Sequence, residues 1–171
     1  CSAQGDPAHR GGVGSMSTIV DVIERLTEIQ AGLAIEEPAA VRVQAVYPSI
    51  PDGKGAAPTP FIITTWSLAG VVWRPNGRRE HSYEIHSQLA VHDLEPARAL
   101  AIARAFLPVY MDALGSNVML NLPDVALQGL RGGDPTEVMF ENLRDAQGKA
   151  LHGLDLFHDL TIYDVDKARG A

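Results

Sequence analysis

The stretch from Phe61 to His92 narrows the possible folds of this chain more than any other part of it. Phe61 to Trp73, FIITTWSLAGVVW, is crowded with β-branched and aromatic residues that fit a pleated surface. Arg74-Pro75-Asn76-Gly77-Arg78 follows, and its Asn-Gly pair tolerates the positive φ of a tight reversal. The return run, Glu80 to His92, alternates: Tyr83, Ile85, Ser87, Leu89 and Val91 point one way, Ser82, Glu84, His86, Gln88 and His92 the other. A long antiparallel hairpin is expected, with one face for a core and one that is wet or interfacial. Such a hairpin needs a second layer to cover its apolar face.

Two helical patterns supply that layer. From Ser17 or Thr18 as N-cap, apolar residues recur at Ile19, Val22, Ile23, Leu26, Ile29 and Leu33, with Gly32 and Pro38 as stop signals. Beyond the hairpin, Asp93 can cap a helix over Leu94 to Leu114, whose stripe reads Leu100, Ala103, Leu107, Tyr110 and Leu114. Pro108 is expected to kink or split it, because proline removes a backbone donor and crowds the preceding turn. Val41 to Tyr47 alternates as a strand, and Pro48 to Pro60, with four prolines and two glycines, is an exposed loop. Val125 to Leu130 fits a short strand among breakers, Glu137 to Leu143 fits a strand or a short helix, and Leu154 to Val165 alternates through Leu154, Leu156, Leu160 and Ile162 with His158 interposed. The expected fold is α+β, an antiparallel or mixed β-sheet of about four to five strands with two main helices packed on one face. Residues 1–15, glycine-rich and aperiodic, read as a non-native remnant or a disordered arm, and 16–171 as one domain.

Charge and composition restrict the function. Fourteen Lys and Arg against 21 Asp and Glu give −7, which disfavours a protein that grips nucleic-acid phosphates nonspecifically. No apolar run approaches the ~20 residues that span a bilayer. One cysteine, Cys1, builds neither a disulfide framework nor a cysteine-rich zinc site. Among His81, Glu84, His86 and His92, the last two imidazoles are about 20 Å apart on a strand, so no metal or other cofactor is expected. No Gly-x-Ser-x-Gly elbow is present, and Asp155, Asp159, Asp164 and Asp166 read as a solvated strand face. Gly129, Gly132 and Gly133 lack the Lys-Ser or Lys-Thr of a phosphate loop and read as a plain loop. The dense basic group is at the hairpin tip, where Arg74, Arg78 and Arg79 follow Trp73; with Lys54 of the proline-rich loop they are candidate contacts to a partner.

In the order helix, strand, proline-rich excursion, hairpin, helix, terminal strand, residues 16 to 170 resemble the tail terminator (tail completion) proteins of long-tailed bacteriophages. The matching features are MSTIVDVIERLTEI, YPSIPDGKGAAPTPFIITTW, EHSYEIHSQLAVHD leading into LEPARALAIARAF, and GLDLFHDLTIYDV. Pro108 and the irregular stretch Val118 to Arg144 depart from that pattern. The resemblance implies a virion protein without catalytic activity or cofactor. It would form a ring, a hexamer, on the tail tube, stop tube polymerisation and offer a docking face to the head connector. DNA would pass through its lumen without specific binding, and no membrane is involved. Three other readings stay open: a neighbouring neck or head–tail adaptor; a small α+β hydrolase using Glu84, His86 or the C-terminal aspartates; and a dimeric module binding a small ligand in a pocket of several hundred Å³.

Overall fold

The computed structural model describes residues 17–49, 58–75, 77–92, 95–130, 135–144 and 148–165. The chain opens with α1 (Ile19–Ala31), capped by Thr18 rather than Ser17. Thr18 Oγ1 accepts the Asp21 N–H at 3.2 Å, and Asp21 Oδ2 accepts the Thr18 N–H at 2.7 Å. This reciprocal box satisfies donors that the first turn would otherwise leave open, and it holds the Asp21 carboxyl below its ordinary range. Ser17 instead ties the start of α1 to the far side of the fold, donating its N–H to Asp124 at 2.7 Å.

The expected strand over Val41 to Tyr47 is divided. β1 (Ala34–Ile35) and β2 (Val41–Arg42) form a two-stranded ribbon, and β3 (Ala45–Tyr47) joins the main sheet. The break falls where Val43 is buried and its N–H bonds to the Leu33 carbonyl at 3.0 Å, while Gln44 N–H bonds to Pro60 at 2.7 Å. Val43 thus continues the β1–β2 pairing and Gln44 the β3–β4 pairing, so the chain changes partner between these two residues.

The hairpin forms as β4 (Phe61–Trp73) and β5 (Arg78–Val91), in register from Phe61↔Ala90 to Trp73↔Arg79 with a bulge between Leu68 and Gly70. Gly77 takes φ +77° in the connecting turn, a conformation glycine adopts without strain. After the hairpin, α2 (Pro96–Gly115) runs unbroken through Pro108. Pro108 and Arg104 both lie on the exposed side, so the carbonyl freed by the missing N–H meets solvent. The buried stripe of α2 is Ala99, Ile102, Ala103, Phe106, Tyr110 and Leu114, rotated from the expected one so that Phe106 is buried and Leu107 only partly so. Asp93 and Leu94 lie outside the described residues.

Three more strands complete the sheet: β6 (Val125–Leu130), β7 (Thr136–Arg144) and β8 (Ala150–Val165). β8 begins four residues before the expected Leu154 and pairs with β5 along its length, from Arg78↔Val165 to Val91↔His152. Its other edge is shared. β6 pairs with the Ile162 to His158 half and β7 with the Asp155 to Ala150 half, so the irregular region after Asn117 is one interrupted lane beside β8. Gly129 belongs to β6 and is not in a loop. The main sheet is six-stranded and mixed: β3 is parallel to β4, and the other pairings are antiparallel. The α+β class stands, with more strands than expected.

α1 and α2 cover the sheet face carrying Ile85, Leu89, Leu154, Leu156, Leu160 and Ile162, and their stripes complete the main core. A smaller cluster lies on the other face at the start of the hairpin, where Phe61, Ile63, Ala90, Phe140 and Leu151 are buried together and Tyr47 meets Phe61 edge-on at 5.7 Å. Phe140 packs over Gly153, where a Cβ would intrude on the Leu89 carbonyl. Only glycine fits where β5 and β8 approach so closely.

Candidate functional site

The two long strands outrun their cover. Thirteen residues of β4 extend about 43 Å, whereas the thirteen of α1 extend about 20 Å and the twenty of α2 about 30 Å. Phe61 to Thr64 are buried, but from Trp66 onward the strand emerges as an arm. Register places Trp66, Leu68, Val71 and Trp73 opposite Ile85, Tyr83, His81 and Arg79, on the face that carries the core further down. Their exposures are 45%, 54%, 43% and 64%. Trp66 meets Tyr83 edge-on at 5.7 Å, and Val72 and Tyr163 are exposed on the reverse side. Residue areas at these fractions amount to roughly 500 Å² of apolar surface, the upper part of what a monomer ordinarily shows in one patch. The outer edge of β4 is also open. β3 covers Phe61 to Ile63, and among the described residues no strand pairs with that edge from Thr64 to Trp73.

The tip arginines are close together, but two of them brace the arm itself. Arg74 grips Glu80 with two of its three nitrogens, Nε to Oε1 at 2.9 Å and Nη2 to Oε2 at 2.7 Å. That fork raises the Arg74 guanidinium and lowers the Glu80 carboxyl relative to their ordinary ranges. Arg79 stacks over Trp73, 4.2 Å from the ring centroid, and the Arg78 carbonyl accepts the Arg74 N–H at 2.8 Å. Lys54 lies outside the described residues. The apolar residues between the arginines and the core were not singled out by sequence reasoning. Their signal is that Trp66 to Trp73 keeps an apolar character without strict alternation and continues past the reach of the helices.

On the wet face, His86 and Asp155 pair at 3.0 Å, Gln88 donates to the same carboxylate oxygen at 3.0 Å, and Phe157 stacks flat on His86 at 4.3 Å. Asp155 is therefore an engaged, largely covered group and not part of a freely solvated row. Asp159 shares its face, while the side chain of Asp164 and all of Asp166 lie outside the described residues. Among the described residues, no three His, Cys, Asp or Glu side chains converge to hold a metal ion.

A second polar group is inside the core. Thr64 donates to Gln30 Oε1 at 2.7 Å, Gln30 Nε2 donates to Ser87 at 3.1 Å, and the Tyr110 hydroxyl lies 3.2 Å from Ser87 Oγ and 3.1 Å from His158 Nε2. His158 Nδ1 is 3.4 Å from the Gln128 carbonyl. Burial holds the imidazole below its ordinary range and the Tyr110 phenol above its own. The network links α1, β4, β5, α2 and β8 with partners for each member, which suits a device that fixes how helices sit on the sheet. Beside it is a cavity of about 70 Å³ lined by Met111, Leu114, Val118, Leu127 and His158, room for a water or two. It is far below the several hundred Å³ of a small-molecule site.

No protein-family model matches the chain, and no curated protein matches it. No helix among the described residues is long and apolar enough to cross a membrane.

Proposed function

We propose that this chain is a structural subunit that works by assembly, a tail-terminator-like protein that closes as a ring, a hexamer, on the end of a phage tail tube. In this reading it ends tube growth, presents a face to the head connector, lets DNA pass through its lumen and resides in the virion. The observation that carries the reading is the braced arm, which holds Trp66, Leu68, Val71 and Trp73 in solvent beside an open strand edge. A subunit that covers such a surface on assembly gains roughly 25 cal/mol for each Å² of apolar area removed from water. The element order shared with tail terminators supports the same reading. The negative net charge fits a lumen that does not hold DNA by counterion release.

The test is tube capping. Added to polymerising tail tube protein of the same virus, the chain should shorten the tubes and appear by electron microscopy as a ring at one end. Tubes of unchanged length with bare ends would refute the reading.

A further inference from the structure

The arm is not the only exposed apolar group on the helix side of the sheet. Val118 and Met119, in the turns between α2 and β6, are 52% and 48% exposed. Their segment is tied to the opposite edge strand, because the Leu127 N–H bonds to the Val118 carbonyl at 2.7 Å. Val118 also lines the cavity with Met111 and Leu114, so this corner belongs to the helix layer.

Register shows how the two groups relate. Val71 pairs with His81, His81 with Ile162, and Ile162 with Val125; Leu68 pairs with Tyr83, Tyr83 with Leu160, and Leu160 with Leu127. The arm and the Val118–Met119 corner therefore sit on the same rungs of the sheet at opposite edges, across β4, β5, β8 and β6. Three strand spacings, about 14 Å, separate the edge strands. Among the described residues both outer edges lack a partner strand at this level.

We infer that the occupant of the arm is a second copy of this chain, docked head to tail, with its Val118–Met119 corner seated on Trp66, Leu68, Val71 and Trp73. The inference deepens the assembly reading above by naming the two surfaces that meet. The patches differ, so the contact is heterologous, and every copy keeps one of each to offer onward. They lie at one height, so each added copy is displaced sideways with no step along the strands. A step would generate a helical filament, and without one the array closes as a ring when the rotation between neighbours completes a full turn. The roughly 500 Å² of the arm makes up most of the ~800 Å² that one partner contributes to a standard interface. The bulge between Leu68 and Gly70 interrupts a regular ladder on that edge, so the side chains of the face, more than added strand pairing, hold the neighbour.

Native mass spectrometry of Val71→Glu, Met119→Glu and their mixture tests this. The unaltered chain should show a closed oligomer, and each variant alone should self-associate at least tenfold more weakly. Mixed in equal amounts, the variants should give a one-to-one dimer of twice the 18.3 kDa chain mass and nothing larger, since one intact arm meets one intact corner. That dimer forms only from two folded chains, so it also excludes misfolding as the cause. A Met119→Glu variant that assembles normally while Val71→Glu does not would overturn the inference in favour of arm-on-arm pairing about a two-fold axis. Normal assembly by both variants, or an unaltered chain still monomeric at about 100 µM, well above the weakest Kd of such interfaces, would also overturn it. The mixed dimer together with failure to cap tubes would refute the tail reading and leave the inference standing.

Discussion

Replacing Gly153 by alanine tests the closest approach in the sheet. The added Cβ would overlap the Leu89 carbonyl oxygen, lie 2.8 Å from the Leu89 carbonyl carbon and sit 3.1 Å from Cε2 of Phe140. Two of these atoms are backbone, so no rotamer change relieves them. β5 and β8 must part by more than an ångström at Ala90↔Gly153, which is enough to break the neighbouring ladder bonds and to lift Phe140 from Leu151. Overpacking of this kind costs about 1–3 kcal/mol, and two lost ladder bonds add about 1 kcal/mol each, giving about 3–5 kcal/mol. In a domain of this size that corresponds to a fall of roughly 6–20 °C in Tm. Thermal unfolding followed by circular dichroism reads it, with Gly70→Ala as control, because a Cβ at Gly70 meets nothing within 4 Å. If Gly153→Ala melts within about 3 °C of the parent, the strands have slack there and the reasoning is wrong.

Tyr110→Phe should cost about 1–3 kcal/mol in urea unfolding, since it takes a shared hydroxyl from buried Ser87, Gln30 and His158. His158 predicts a pH effect whose sign follows from its lowered value: the unfolded chain takes up a proton near pH 6.5 that the folded chain resists. Its contribution is complete above pH 6.5 and lost as pH falls toward the folded value, with a slope of up to about 1.4 kcal/mol per pH unit. Urea unfolding between pH 7.5 and 5.5 should show that slope in the parent and a shallower one in His158→Gln; equal slopes would show that the imidazole is hydrated. Arg78→Glu reverses charge at the arm tip and should weaken ring or tube assembly, and normal assembly would exclude the tip from the interface.

Periodicity makes much of this architecture legible in the sequence. α1 and the hairpin had enough residues for the apolar period to stand out, and the alternation of Tyr83, Ile85, Ser87, Leu89 and Val91 matches the face that the helices cover. It even carried part of the buried network, since Ser87 and His158 stand at core positions of their strands and Tyr110 on the stripe of α2. Gln30 follows Leu26 by four residues, but a glutamine there reads as the end of a stripe until its partners across the sheet are known. Two-residue strands such as β1 and β2 are too short to show any period. The parallel β3–β4 pairing and the shared edge of β8 depend on contacts distant in sequence, which local pattern does not encode. The apolar run of the arm marks a strand in the sequence and not a surface, because exposure depends on where the helices stop.

The position of β8 governs the order in which the fold can be made. It is an interior strand, joined to β5 on one side and to β6 and β7 on the other, yet it follows all of its neighbours in the chain. During synthesis β3, β4 and β5 can pair as they emerge, but β6 and β7 have no strand to pair with until β8 leaves the ribosome. For that interval one edge of β5 has no partner strand, and the pairing that closes it joins distant parts of the chain. A released chain cut short before Ala150 would therefore hold β3, β4 and β5 paired and β6 and β7 without their partner strand, a natural client for a chaperone.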